Sequence, residues 1–209
     1  MNPGDVYYRI PLDCMGGFIS AWVEYRLPPG IVNFSNPPSV LDIGANCGGF
    51  MLYASLGLRA KYVTCYEPNP TLVPALTWNA ERCACPVGLN FVAVGDPSLT
   101  RLYRHNNSPV SFSQYPTNCG STTDEYLDIQ AIHPAELKPH DVVKIDTEGA
   151  EAFICEKLTF TPELLFVEYH SNELRQRVDT VLSATMRLVE VTVNPQIQGI
   201  GVMKYVKNR

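Results

Sequence analysis

The chain has 209 residues, 45% hydrophobic and 18% charged, a composition that fits one globular domain and excludes a disordered chain. Its formal net charge of −5 supplies no global attraction to a polyphosphate backbone, which disfavours avid nonspecific nucleic-acid binding. Seven cysteines, an odd number in a chain of this size, argue against a disulfide framework and for a reducing, cytoplasmic setting.

Residues 1–38 form an aromatic, proline-rich extension containing Tyr7, Tyr8, Phe18, Trp22, Tyr25 and Phe34 and ending in two Pro-Pro pairs. Scattered charges interrupt it, so it does not read as a leader, and within it 18–23 fits a strand or a short helix equally well. The charge-free run 43–58 is glycine-rich and shorter than the ~20 residues that cross a bilayer. From 39 to 209 the pattern is regular enough for a single domain. Residues 40–43 read as a buried strand that stops at Gly44, and a glycine-rich turn leads into a helix carrying Phe50, Tyr53 and Ala54. A second strand, 62–66, ends in Glu67-Pro68-Asn69-Pro70 and is followed by a helix with Leu72 and Leu76 one turn apart. Residues 88–94 read as a third strand, ended by Gly95-Asp96-Pro97.

The stretch 98–123 breaks this rhythm and reads as one long polar loop. Strands resume at 141–146 and 164–168, with a short helix between them on Phe153, Ile154 and Leu158. Leu174, Val178, Val181 and Leu182 place an amphipathic helix at 171–186, capped by Ser171 or Asn172. Alternation at Val189, Val191 and Val193 and a run from 200 to 206 give the last two strands. The expected fold is α/β, with a mostly parallel sheet covered on both faces. The loop between the last two strands is too short for a parallel crossover, so the last strand should run antiparallel.

Two clusters carry chemistry. The first is Asp42-Ile43-Gly44-Ala45-Asn46-Cys47-Gly48-Gly49 with Glu67 at the end of the next strand. Its glycine spacing differs from the dinucleotide fingerprint, and it suits a ligand without a pyrophosphate. Asp42 can meet a cationic amine, Glu67 can accept from both ribose hydroxyls, and Asp96 is placed to meet an adenine edge. Together these describe a nucleoside with a cationic amino-acid end, which S-adenosylmethionine fits. The second is Asp146-Thr147-Glu148-Gly149-Ala150-Glu151, with Glu168 and His170 at the end of the following strand. Close carboxylates of this kind supply a general base. They can also hold a divalent cation together with His170, although no metal is assigned from the sequence.

These segments resemble the FkbM-type S-adenosylmethionine-dependent methyltransferases. The matching pieces are 40–50, 66–70, 144–151 and 166–170, in the family's order, and Lys144-Ile145-Asp146-Thr147-Glu148-Gly149-Ala150-Glu151 is the most specific. The resemblance implies a Rossmann-like class I methyltransferase fold with a seven-stranded, mostly parallel sheet. It also implies that Asp42, Gly44, Asn46, Gly48 and Phe50 line the methionine end, Glu67 the ribose and Asp96 the adenine. The expected activity is O-methylation of a small hydroxylated acceptor such as a sugar, with Asp146, Glu148 and His170 as the catalytic group and 98–123 as an acceptor lid. Alternatives are a nucleic-acid methyltransferase and a non-catalytic cofactor-binding partner subunit. A homodimer stays open.

Overall fold

The computed structural model describes residues 7–28, 30–105, 111–114, 125–194 and 199–208. A single 3-10 turn, Leu12–Cys14, leads into α1 (Met15–Glu24), which resolves the helix-or-strand ambiguity of 18–23. Then follow β1 (Ser39–Ile43), α2 (Gly49–Leu56), β2 (Tyr62–Tyr66), α3 (Val73–Ala80) and β3 (Val87–Asn90). Short strands come next: β4 (Ala93–Val94), β5 (Arg101–Arg104), β6 (Phe112–Ser113), β7 (Tyr126–Asp128) and β8 (Ala131–Ile132). The chain closes with β9 (Val142–Ile145), α4 (Glu151–Lys157), β10 (Leu164–Tyr169), α5 (Asn172–Leu182), β11 (Met186–Val193) and β12 (Gly201–Lys207).

Seven strands form one sheet in the order β11-β12-β10-β9-β1-β2-β3. β1 pairs in parallel with β2 and β9, β2 with β3, and β9 with β10. β12 runs antiparallel to both β10 and β11, as the short connection requires. Successive side chains alternate between two cores. Val40, Val142, Leu164 and Phe166 pack with α2 on one face, and Leu41, Ile43, Val143, Ile145, Leu165 and Val167 pack with α4 and α5 on the other.

The cap of α5 is Ser171, whose Oγ accepts from the Leu174 N–H at 3.1 Å. α1 lies on α2 at Gly49, where an added Cβ would stand 3.1 Å from the Phe18 Cα, so the two backbones approach as closely as a glycine allows.

Two expectations need correction. The apolar run 88–94 is not one strand. β3 ends at Asn90, the chain bends at Val92, and β4 leaves the main sheet to pair in parallel with β8. Hydrophobicity alone misses the bend, because Val94 stays buried in the second core through its new partner. Nor is 98–123 wholly irregular. β5 is the centre of a three-stranded antiparallel sheet with β6 and β7, built around buried Leu102. Its partners are only two or three residues long, and β7 lies beyond residue 123, so no local period announces them. Residues 106–110 and 115–124 of that stretch lie outside the described residues.

Candidate functional site

The carboxyl ends of β1, β2, β9 and β10 meet above the middle of the sheet, and the residues following them form one cleft. The turn after β1 is tied to both neighbouring strands. The N–H groups of Gly44 and Ala45 donate to the Tyr66 carbonyl at 2.9 and 3.0 Å, and the Asp146 N–H donates to the Ile43 carbonyl at 3.1 Å. Gly44 has φ +78°, and a Cβ there would overlap the Asp146 carbonyl oxygen, so the position admits only glycine.

Glu67 is buried below this turn. Its Oε2 accepts from the Asn46 N–H and its Oε1 from the Asn69 N–H, both at 2.8 Å. Each oxygen keeps a further lone pair, so the carboxylate can accept two vicinal hydroxyls while its own orientation is fixed. Burial pushes its pKa up to about 7, against the opposing pull of the two backbone donors.

Beneath the cleft the register places Asp42 beside Lys144, and Lys144 beside Phe166. Lys144 Nζ donates to the Gly44 carbonyl at 2.6 Å and lies 3.3 Å from Asp42 Oδ1 and 3.2 Å from Asp146 Oδ2. Burial opposes its charge, but Asp146 and Asp42 outweigh burial and hold its pKa above the usual lysine value. Asp42 is fully buried and touches neither cavity of the cleft. It acts on the site through Lys144, as the counter-charge that lets a lysine sit under the glycine turn.

The acids after β9 surround His170. Its Nε2 lies 3.1 Å from Glu148 Oε2 and 3.9 Å from both Asp146 Oδ1 and Glu168 Oε1, and its Nδ1 lies 3.4 Å from Glu151 Oε1. Burial alone would lower the imidazole pKa, but Glu148 and Glu151 raise it well above the usual value. Glu151 is wholly buried and accepts from the N–H groups of Thr147 at 2.9 Å and Gly149 at 3.0 Å, which shapes the loop. That loop holds Glu148 at φ +57°, an uncommon backbone for a non-glycine residue. Glu168 Oε2 accepts from the Tyr25 hydroxyl at 2.9 Å, and burial followed by Asp146 pushes its carboxyl up to about 8.

The cleft has two compartments. The first is lined by Gly44, Glu67, Asn69, Val94, Leu102 and Gln114 among others. The second lies between α1 and the sheet and includes Cys14, Tyr25, Phe50, Lys144 and Glu168. Gly44, Asn46, Ser111, Asp146 and Glu148 line both, so they form the junction. Phe50 packs against Tyr25 and Phe166 at ring separations of 5.0 and 5.5 Å. Gly48, at φ +94°, turns the chain into α2.

Asp96 does not join the cleft. Its Oδ1 accepts from the N–H and hydroxyl of Ser98 at 2.9 and 2.7 Å, closing its own Asp-Pro turn, and it lines neither compartment. The wall near it is made instead by Ala93, Val94, Leu102, Phe112 and Gln114. Lys144 and Tyr25 were assigned no role from the sequence. The one available signal was a lysine between valines and an isoleucine in a buried strand, which needs an acid on the adjacent strand. Tyr25 comes from an extension that no motif connects to the site.

No family model matches the chain, and no curated protein sequence matches it. Solved structures do. An FkbM methyltransferase from Methylobacillus flagellatus KT is 15% identical with a TM-score of 0.59, over 88% of this chain and 47% of that one. The chain therefore spans less than half the length of that protein. The fibrillarin pre-rRNA processing protein of Methanococcus jannaschii is 12% identical with a TM-score of 0.54, over 90% and 74% of the two chains. A ribosomal-protein methylase from Lactobacillus delbrueckii subsp. bulgaricus is 11% identical with a TM-score of 0.53, over 91% and 77%. At these identities the likeness establishes the fold. The fold is the Rossmann-like methyltransferase architecture, and two of these three neighbours are named as methylating enzymes. Among the described residues, no helix is long and apolar enough to cross a membrane.

Proposed function

We propose that the chain is an S-adenosylmethionine-dependent methyltransferase that methylates a hydroxyl oxygen of a small acceptor. The observation that carries this reading is the junction of the two compartments. A fixed carboxylate suited to a ribose diol stands on one side of Gly44 and Asn46, and a group of ionisable side chains stands on the other. Glu67 would hold the ribose hydroxyls, the wall of Ala93, Val94, Leu102 and Phe112 the adenine, and the Gly44–Gly48 turn the methionine end. Bound there, S-adenosylmethionine supplies a methyl group on a positively charged sulfur. Transfer to oxygen is an in-line displacement, so most of the protein's contribution is placement. Tyr25, Glu168 and Lys144 line the acceptor side, and Asp146, which faces both compartments, accepts the hydroxyl proton. Glu148, which lines both compartments, orients the acceptor oxygen, and His170, which lines neither, holds Glu148 in place from 3.1 Å.

Calorimetric titration with S-adenosylhomocysteine tests the cofactor half. Glu67→Gln keeps the shape but removes the charge and half of the acceptor capacity, so affinity should fall at least tenfold. Unchanged affinity would remove the ribose assignment. The pH dependence follows from the direction of the Glu67 shift. The cofactor's hydroxyls select the ionised form, so wild-type affinity should decline as pH falls through about 7, and the Glu67→Gln profile should be flat there. The stability sign is opposite. A carboxyl raised in the folded state binds its proton more tightly there than in the unfolded chain, so its contribution to stability decreases as pH rises from about 4.5 to about 7.

A further inference from the structure

Methyl transfer uses the corner around His170 only in part. Asp146, Glu148 and His170 each present one ligand atom, and the three atoms lie within 4.8 Å of one another. They come from two strand ends, two residues after β9 and one after β10. A ligand set for a first-row ion places its donors about 2.0–2.2 Å from the metal, and hence about 3–4 Å from one another. The separations of His170 Nε2 from Glu148 at 3.1 Å and from Asp146 at 3.9 Å fall in that range.

Two further observations point to a ligand and not to solvated charges. Glu151, fully buried and fixed by two backbone N–H groups, stands 3.4 Å behind His170 Nδ1. A carboxylate behind one ring nitrogen is the usual support of a metal-binding histidine, because it aims the other nitrogen outward. The second is His105, at the end of β5. Its Nε2 lies 3.6 Å from Glu148 Oε2, is buried, and makes no hydrogen bond among the described residues. The carboxylates of Asp146, Glu148 and Glu151 crowd this corner, with Lys144 and His170 as the cations in contact with them and the His105 ring beside Glu148. A divalent ion would balance that excess and give the His105 nitrogen a partner.

We propose that Asp146, Glu148 and His170, with His105 as a fourth donor, bind a divalent first-row transition ion. Two imidazoles with two carboxylates favour an ion of the manganese-to-zinc series over magnesium or calcium, which take oxygen ligands. The ion would sit beside the acceptor compartment and lower the pKa of a hydroxyl bound to it. That consequence rests on the methyl-transfer reading, whereas the binding rests on the side chains alone.

The test is a titration of the chelator-treated full chain with cobalt(II), without any nucleoside, followed by calorimetry and visible absorption. One ion per chain is expected, with ligand-field bands and no thiolate charge-transfer band. His170→Ala and Glu148→Gln should each weaken binding more than tenfold, and His105→Ala should weaken it less, with circular dichroism confirming that each variant is folded. No binding by the folded wild type overturns the proposal. So does binding that all three variants retain, or a thiolate band placing the ion on cysteine. S-adenosylhomocysteine binding by the metal-free chain is read separately, so a failure here leaves the cofactor reading intact.

Discussion

Gly44→Ala is expected to lower stability by about 2–5 kcal/mol and to abolish nucleoside binding. The estimate adds about 1–2 kcal/mol for a left-handed non-glycine residue to about 1–3 kcal/mol for overpacking. Both terms apply, because φ is +78° and the new methyl would overlap the Asp146 carbonyl. That carbonyl cannot move freely, since the Asp146 N–H is bonded to Ile43 across β1 and β9. The same turn is held from below by Lys144 and from the side by Tyr66, so displacing Gly44 disturbs three strands. Urea denaturation measures the loss, and a change below about 1 kcal/mol would show that the turn has room that the backbone contacts deny.

Lys144→Met should cost a similar amount for a different reason. It leaves Asp42 fully buried beside no cation and removes the donor to the Gly44 carbonyl. Breaking a buried pair from one side costs about 3–5 kcal/mol. Asp42→Asn combined with Lys144→Met removes the orphaned charge, so the double variant should be more stable than Lys144→Met alone. If adding Asp42→Asn instead lowers stability further by its full single-variant cost, the two residues act independently and the pairing argument fails.

Much of the site could be read before the fold was known, where the residues concerned were local. The turn 44–49, Glu67 at the end of β2 and the acids of 146–151 each belong to one short segment, and strand-to-helix succession fixes where such a segment lies in a parallel sheet. The Ser171 cap and the antiparallel last strand were legible for the same reason, since a side chain three residues from its partner and a loop length are local quantities. What stayed hidden depends on chain returning from elsewhere. β5 needs β7, 27 residues away at the Arg101–Asp128 contact, and β4 needs β8. Lys144 is explained only by the register that sets Asp42 across from it. α1 roofs the second compartment although nothing in its sequence refers to β9 or β10. Asp96 had the opposite fate. Its strand-end position suggested a ligand contact, but a hydrogen bond to Ser98, two residues on, satisfies it at home.

In the proposed methyltransferase, one cleft would bind the nucleoside at Glu67 and present its sulfur to Asp146. A crystal structure of the protein with S-adenosylhomocysteine tests this most directly. Both ribose hydroxyls are expected within hydrogen-bond distance of the Glu67 carboxylate, the adenine against Val94 and Leu102, and the sulfur at the junction formed by Gly44, Asn46 and Asp146. Ligand density elsewhere on the protein, or none at saturating concentration with Glu67 still bonded only to its two backbone donors, would contradict it.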